Sequence, residues 1–104
     1  MRVTIQYCEG CPNWKLADER VQSVLRGLSR GDVKVERQLI DSAETAERVG
    51  FHGSPTILVD GRDPFATGAE PVGMTCRVYP TDEGAQGAPT EAQLWSVLSR
   101  DLLT

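Results

Sequence analysis

The 104-residue sequence predicts a single α/β domain in the order β-α-β-α-β-β-α, built on a four-stranded mixed sheet of strand order 2-1-3-4. Three observations carry that expectation. A short alternating segment, Val3-Thr4-Ile5-Gln6-Tyr7, runs almost directly into a long amphipathic stretch. A second, weaker strand and helix pair follows. Two β-branched runs then precede a final amphipathic stretch. A chain of this length has room for one modest core and none for a catalytic domain beside a separate binding domain, so residues 1–104 are read as one unit.

Each element has a local reason. Val3, Ile5 and Tyr7 face one way and Thr4 and Gln6 the other, the two-residue period of a strand that stops at Cys8. Pro12 suits the first position of a helix, where its missing N–H would have been unpaired anyway. Trp14, Ala17, Val21, Val24, Leu25 and Leu28 then recur at three- and four-residue intervals, so the helix is expected to reach about Arg30 and stop at Gly31. Val33, Val35, Leu39 and Ile40, interleaved with Lys34, Glu36, Arg37 and Gln38, read as an edge strand parallel to the first. Asp41-Ser42-Ala43-Glu44 resembles a capping box opening a short helix through Val49, which Gly50 ends. Thr56 to Val59, between Pro55 and Asp60-Gly61, reads as a third strand, and Thr75 to Tyr79 as an antiparallel fourth. Pro89-Thr90-Glu91 opens the last helix, with Leu94, Val97, Leu98 and Leu102 buried and Trp95 on the border. The first and last helices are placed on one face and the middle helix on the other. Arg62 to Gly73 and Pro80 to Pro89 are left as loops.

Composition narrows the function. A chain that is 39% hydrophobic and 25% charged has the balance of a globular protein rather than a disordered one. No apolar run approaches the ~20 residues that span a bilayer, so a membrane is not expected as partner. The net charge of -4, with Arg and Lys scattered, opposes binding to phosphate backbones, so nucleic acid is not expected either. The oligomeric state is not legible. The N-terminus carries no charged n-region, apolar h-region or small-residue cleavage site, which favours the cytoplasm. Three cysteines are too few, and odd in number, for the disulfide framework of a small secreted domain, which points to reactive or metal-binding thiols.

The chemistry centres on Tyr7-Cys8-Glu9-Gly10-Cys11-Pro12, where a strand ends and a helix begins. Unpaired amides and the helix dipole at that end favour a thiolate, the attacking form. A two-residue spacer over the first turn lets the second sulfur reach the first, so a mixed disulfide made by one can be resolved by the other. Glu9 opposes the thiolate slightly. The spacing alone also fits a pair of zinc ligands or coincidence; its position at a strand-to-helix junction favours redox or thiol chemistry.

Cys8-Glu9-Gly10-Cys11 before the long helix and Gly53-Ser54-Pro55-Thr56 at the start of the third strand resemble the thioredoxin superfamily, and the likeness in element order covers nearly the whole chain. The resemblance implies a thioredoxin-like fold and a thiol–disulfide oxidoreductase acting on a protein or small-molecule disulfide without a cofactor. It implies Cys8 as nucleophile, Cys11 as resolving thiol and Pro55 as a cis-proline over the pair. Ser54 becomes the residue whose backbone pairs with an extended substrate, with Tyr7 and Thr56 beside it. The pattern departs from general disulfide reductases in having Tyr7 where they have Trp, Glu9-Gly10 between the cysteines, and no acid among residues 1 to 7. The shortened beginning is closer to a glutaredoxin-like minimal fold. Cys8-Glu9-Gly10-Cys11-Pro12-Asn13-Trp14, with Asp60-Gly61-Arg62-Asp63-Pro64-Phe65 and Cys76-Arg77-Val78-Tyr79, also resembles small bacterial thioredoxin-like proteins, some labelled alkylmercury lyases. That label makes a metal- or mercurial-binding protein the alternative.

The remaining candidates are Cys76 and His52. In the expected hairpin Cys76 lies three residues, roughly 10 Å, below the cysteine pair, beyond the ~7 Å Cα separation of a disulfide. It reads as a buried small apolar residue, or as a third thiolate if the hairpin takes another register. His52 is either a loop residue facing solvent or a group stabilising a thiolate. Cys8, Cys11, His52 and Cys76 would together make a Cys3His zinc set, though not with the spacing of a known finger. Trp14 and Trp95 read as core, and Arg62 and Asp63 as solvated turn residues.

Overall fold

Alternation at the N-terminus builds the centre of the molecule: in the computed structural model, which describes residues 1–102, β1 (Val3–Tyr7) is the middle strand of a three-stranded sheet. β2 (Val35–Leu39) lies parallel on one side, Val3 opposite Val35 and Tyr7 opposite Leu39. β3 (Thr56–Val59) lies antiparallel on the other, Ile5 opposite Ile57 and Gln6 opposite Thr56. Opposed residues share a face. Val3, Ile5, Ile57 and Val59 therefore form one apolar surface, against which α1 (Asn13–Gly27) and α3 (Glu91–Leu102) pack Ala17, Val21, Val24, Leu25, Leu94 and Leu98. Each fully buried aliphatic side chain there contributes about 1.5–3 kcal/mol relative to exposure. Asp18 of α1 also pairs with Arg37, tying the β2 edge to the helix.

α1 ends earlier than its periodicity suggests. Ser29 takes a left-handed conformation (φ 59°), its N–H bonds to the Arg26 carbonyl, and the Arg30 N–H bonds to the Leu25 carbonyl. This is a Schellman closure without glycine, so the chain leaves the helix before Gly31. α2 (Ala43–Val49) is capped as its sequence suggests: Ser42 Oγ accepts from the Thr45 N–H at 3.1 Å, and Gly50 closes the helix at φ 69°. Its buried Ala46 packs with Ile40, Phe51, Cys8 and Cys11 in a second apolar cluster at the cysteine end of the sheet. α3 opens on a reciprocal Thr90–Gln93 capping box.

The fourth strand is the main correction. Thr75 to Tyr79 does not extend the sheet: after β3 the chain turns back at Asp60-Gly61, both at positive φ, and makes only a Val59–Arg62 bridge. Residue 76 instead bridges Ser54 in the parallel sense. The second hairpin falls later, as β4 (Tyr79–Thr81) against β5 (Gly84–Gln86), inside the segment expected to be a loop. The architecture is thus a three-stranded mixed sheet with a separate two-stranded hairpin and three helices, rather than one four-stranded sheet. Trp14 is half-buried and stacks on Tyr7, ring centroids 4.4 Å apart. Trp95 is exposed, with its ring laid over Gly27, where a Cβ would come within 2.8 Å of it. No described helix is long and apolar enough to cross a membrane.

Candidate functional site

β1 delivers Cys8 to its C-terminal end, and the chain then turns over Glu9 and Gly10, with the Cys11 N–H donating to the Cys8 carbonyl at 3.3 Å. That turn brings the Cys8 and Cys11 sulfurs to 3.8 Å, both residues buried. They are not bonded to each other. Cys11 forms a disulfide with Cys76, Cα atoms 5.8 Å apart, and Cys8 is the free thiol. The Cys8–Cys11 disulfide expected from the spacing is therefore replaced in this state by a Cys11–Cys76 bond. Cys76 is exposed rather than a buried apolar residue.

Backbone pairing explains how Cys76 arrives. The Gly73 N–H donates to the Phe51 carbonyl, the Ser54 N–H to the Thr75 carbonyl at 2.7 Å, and the Arg77 N–H to the Ser54 carbonyl at 2.9 Å. Segment 73–77 thus runs beside 51–54 in parallel, at the end of the sheet instead of along its edge. Gly53 (φ +104°) permits the approach, since a Cβ there would lie 3.1 Å from both the Thr75 carbonyl oxygen and Arg77 Cβ. The Ser54–Pro55 peptide is cis, the configuration the resemblance implies for Pro55, and both residues are buried. Ser54 Oγ accepts from the Cys8 N–H at 3.1 Å, which fixes the first cysteine to the proline loop.

On its other side the segment is anchored by a buried ionic group that the sequence did not disclose. The Arg77 side chain is 4% exposed, and its Nη1 lies 2.7 Å from Asp63 Oδ2. Thr56 Oγ1 also accepts from Arg77, and the guanidinium stands 4.6 Å from the Tyr79 ring centroid. Glu70 approaches Nη2 at 3.9 Å. Hydrogen bonds from the backbone and hydroxyl of Thr67 and the Gly68 amide hold the Glu70 carboxyl down at about 2, so it stays ionised beside Arg77. The Tyr79 hydroxyl donates to the Pro55 carbonyl, and burial pushes its pKa well above the ordinary phenol value. His52 Nδ1 lies 3.1 Å from the same Asp63 oxygen. His52 is accordingly half-buried in this cluster rather than free in solvent, and Asp63, 7% exposed, is no solvated turn residue.

The sequence-expected residues thus divide. Cys8 and Cys11 come together, and Ser54, which precedes Pro55, bonds to the Cys8 amide. Tyr7 stacks on Trp14, and Thr56 donates its hydroxyl to the Gly53 carbonyl at 2.6 Å, turned into the protein. Cys76 joins the two cysteines, the alternative the sequence left open for another hairpin register, and brings Met74 to the cavity; the pairing of Arg77 with Asp63 beside it was not foreseen. The three cysteines line a cavity of about 400 Å³ with Glu9, Gly10, Leu39, Ile40, Asp41 and Met74. Among the described residues no group of three or more His, Cys, Asp or Glu side chains is arranged to hold a metal ion. Chemically, the arrangement sets a free thiol against the Cys11 end of an existing disulfide. No family model matches the chain, and neither a curated protein nor a solved structure matches it.

Proposed function

We propose that the protein is a cytoplasmic, thioredoxin-like thiol–disulfide oxidoreductase in which Cys11 is the central sulfur, bonded in turn to Cys76 and to Cys8. One observation carries this reading: the Cys8 thiol stands 3.8 Å from the sulfur of Cys11 that is already bonded to Cys76. Attack by the Cys8 thiolate on Cys11 Sγ forms the Cys8–Cys11 bond and expels Cys76 as a thiolate, with no net change in oxidation state. Net turnover needs a substrate: the dithiol form passes two electrons to an external disulfide, yielding two thiols and the protein disulfide. The β2-β1-β3 sheet order and the junction of β1 with α1 support the thioredoxin-like assignment. In a cytoplasmic setting a disulfide is more often catalytic or redox-sensing than structural, in keeping with a bond that cycles.

The test is equilibration in graded mixtures of reduced and oxidised dithiothreitol, followed by mass mapping of the disulfides. The expected result is a reversible two-electron couple with Cys11–Cys76 as the main oxidised species. Cys76→Ser should shift the bond to Cys8–Cys11, and Cys11→Ser should abolish the couple. Thiols that stay reduced at every ratio, or a couple that survives Cys11→Ser, would overturn the proposal.

A further inference from the structure

Which disulfides such an enzyme accepts can be read from what already occupies its surface, and the inference rests on the oxidoreductase reading above. An extended polypeptide would have to pair with the Ser54 backbone, as the resemblance implies. Both groups that such pairing needs are engaged by the chain itself: the Ser54 N–H by the Thr75 carbonyl, and the Ser54 carbonyl by the Arg77 N–H. In the reduced protein, where Cys76 is free, the occupying segment is still held by these backbone bonds and by Arg77, buried against Asp63; the Cys11–Cys76 bond adds a further fastening in the oxidised form. Removing one partner of a buried ion pair is strongly unfavourable, so an incoming peptide does not readily displace the segment.

The open route to the sulfurs is the cavity beside Cys76. Buried Cys8, Cys11 and Ile40 form its floor; exposed Leu39, Met74, Glu9, Asp41 and Cys76 form its rim. Its volume, about 400 Å³, lies in the range of small-molecule sites. Leu39 and Met74 make the rim partly apolar. Apart from the cysteines, its ionisable lining is acidic, Glu9 and Asp41, and among the described residues no basic side chain lines it. A chain of net charge -4 adds to the same potential.

We infer that the substrate is a low-molecular-weight disulfide that is uncharged or cationic, received in this cavity by Cys76, and not an extended polypeptide or an anionic disulfide. In the reduced protein the exposed Cys76 thiolate attacks one sulfur of RS–SR. The S–S bond breaks, a Cys76–SR mixed disulfide forms, and RS⁻ leaves and takes up a proton. Cys11 thiolate then attacks the Cys76 sulfur, forming Cys11–Cys76 and expelling the second RS⁻, which is protonated in turn. Two electrons pass from the protein to the substrate, and the two thiol protons end on two RSH.

The experiment mixes the full-length reduced protein at low salt with cystamine, 2-hydroxyethyl disulfide, oxidised glutathione or a disulfide-linked extended peptide. Each rate of protein thiol loss is normalised to the same disulfide's rate with a free thiol. Cystamine and 2-hydroxyethyl disulfide should exceed glutathione disulfide by about tenfold or more, as two nearby carboxylates repel the anion and spare the other two, and should exceed the peptide because the Ser54 backbone is already paired. Glu9→Gln with Asp41→Asn should cut the cystamine-to-glutathione ratio about fivefold, and added salt should cut it too. Preference for glutathione disulfide or the peptide, with the Cys11 couple intact, overturns the substrate class and leaves the oxidoreductase reading standing. Failure to react with any of the four, together with loss of the couple, overturns both.

Discussion

The apolar face of β1 and its cysteine end are three residues apart in sequence, Ile5 against Cys8, and they are held by different chemistry. On the face, Val3, Ile5, Ile57 and Val59 meet two helices through many interchangeable aliphatic contacts. At the end, position depends on a few specific partners: a disulfide, the paired backbone of Ser54, and the Arg77–Asp63 contact. The face keeps the protein folded and tolerates gradual change. The end sets where three sulfurs sit, through a handful of directed contacts. On the reading proposed above, such a site can be rearranged without unfolding the molecule, which thiol exchange requires.

The contrast can be broken at either region. Arg77→Met should have the largest effect, about 3–5 kcal/mol in urea unfolding, because it leaves Asp63 buried with its main counter-charge gone. Adding Asp63→Asn should recover part of that loss. If Arg77→Met costs no more than a surface substitution, the cysteine end is not held by this pair. Leu98→Ala, in the wholly buried face, should cost about 2–5 kcal/mol but leave the pattern of disulfides unchanged, as mass mapping would show. Tyr79 gives the smallest effect, and it depends on pH. Its phenol pKa is raised on folding above the ordinary 10.0, so the unfolded chain ionises first. Its contribution is fully present below pH 10 and falls as pH rises beyond it, because the unfolded state then binds fewer protons. Unfolding measured across that window should show a downward slope that Tyr79→Phe reduces.

Much of the fold was legible because its causes are local. Ser42 and Gly50 mark the two ends of α2, alternation marks β1, and Thr56–Val59 is bounded as expected. α1 outran its true end on paper because Ser29, a residue without glycine's freedom, takes the left-handed turn. The fourth strand misled for a different reason: Thr75 to Tyr79 has strand-like residues, but their partner is chosen elsewhere.

Of the site, Cys8, Cys11, Ser54 and Pro55 could be assembled from spacing and resemblance, since each stands at an element boundary visible in the sequence. Cys76 could not. Its bond to Cys11 spans 65 residues, and its approach requires Gly53 to admit the Thr75–Arg77 backbone and Asp63 to neutralise a buried arginine. Periodicity and capping act within a few residues and so can be read along the chain. The choice of Cys76 over Cys8 as the partner of Cys11 is made by packing among distant segments, which only the tertiary structure decides.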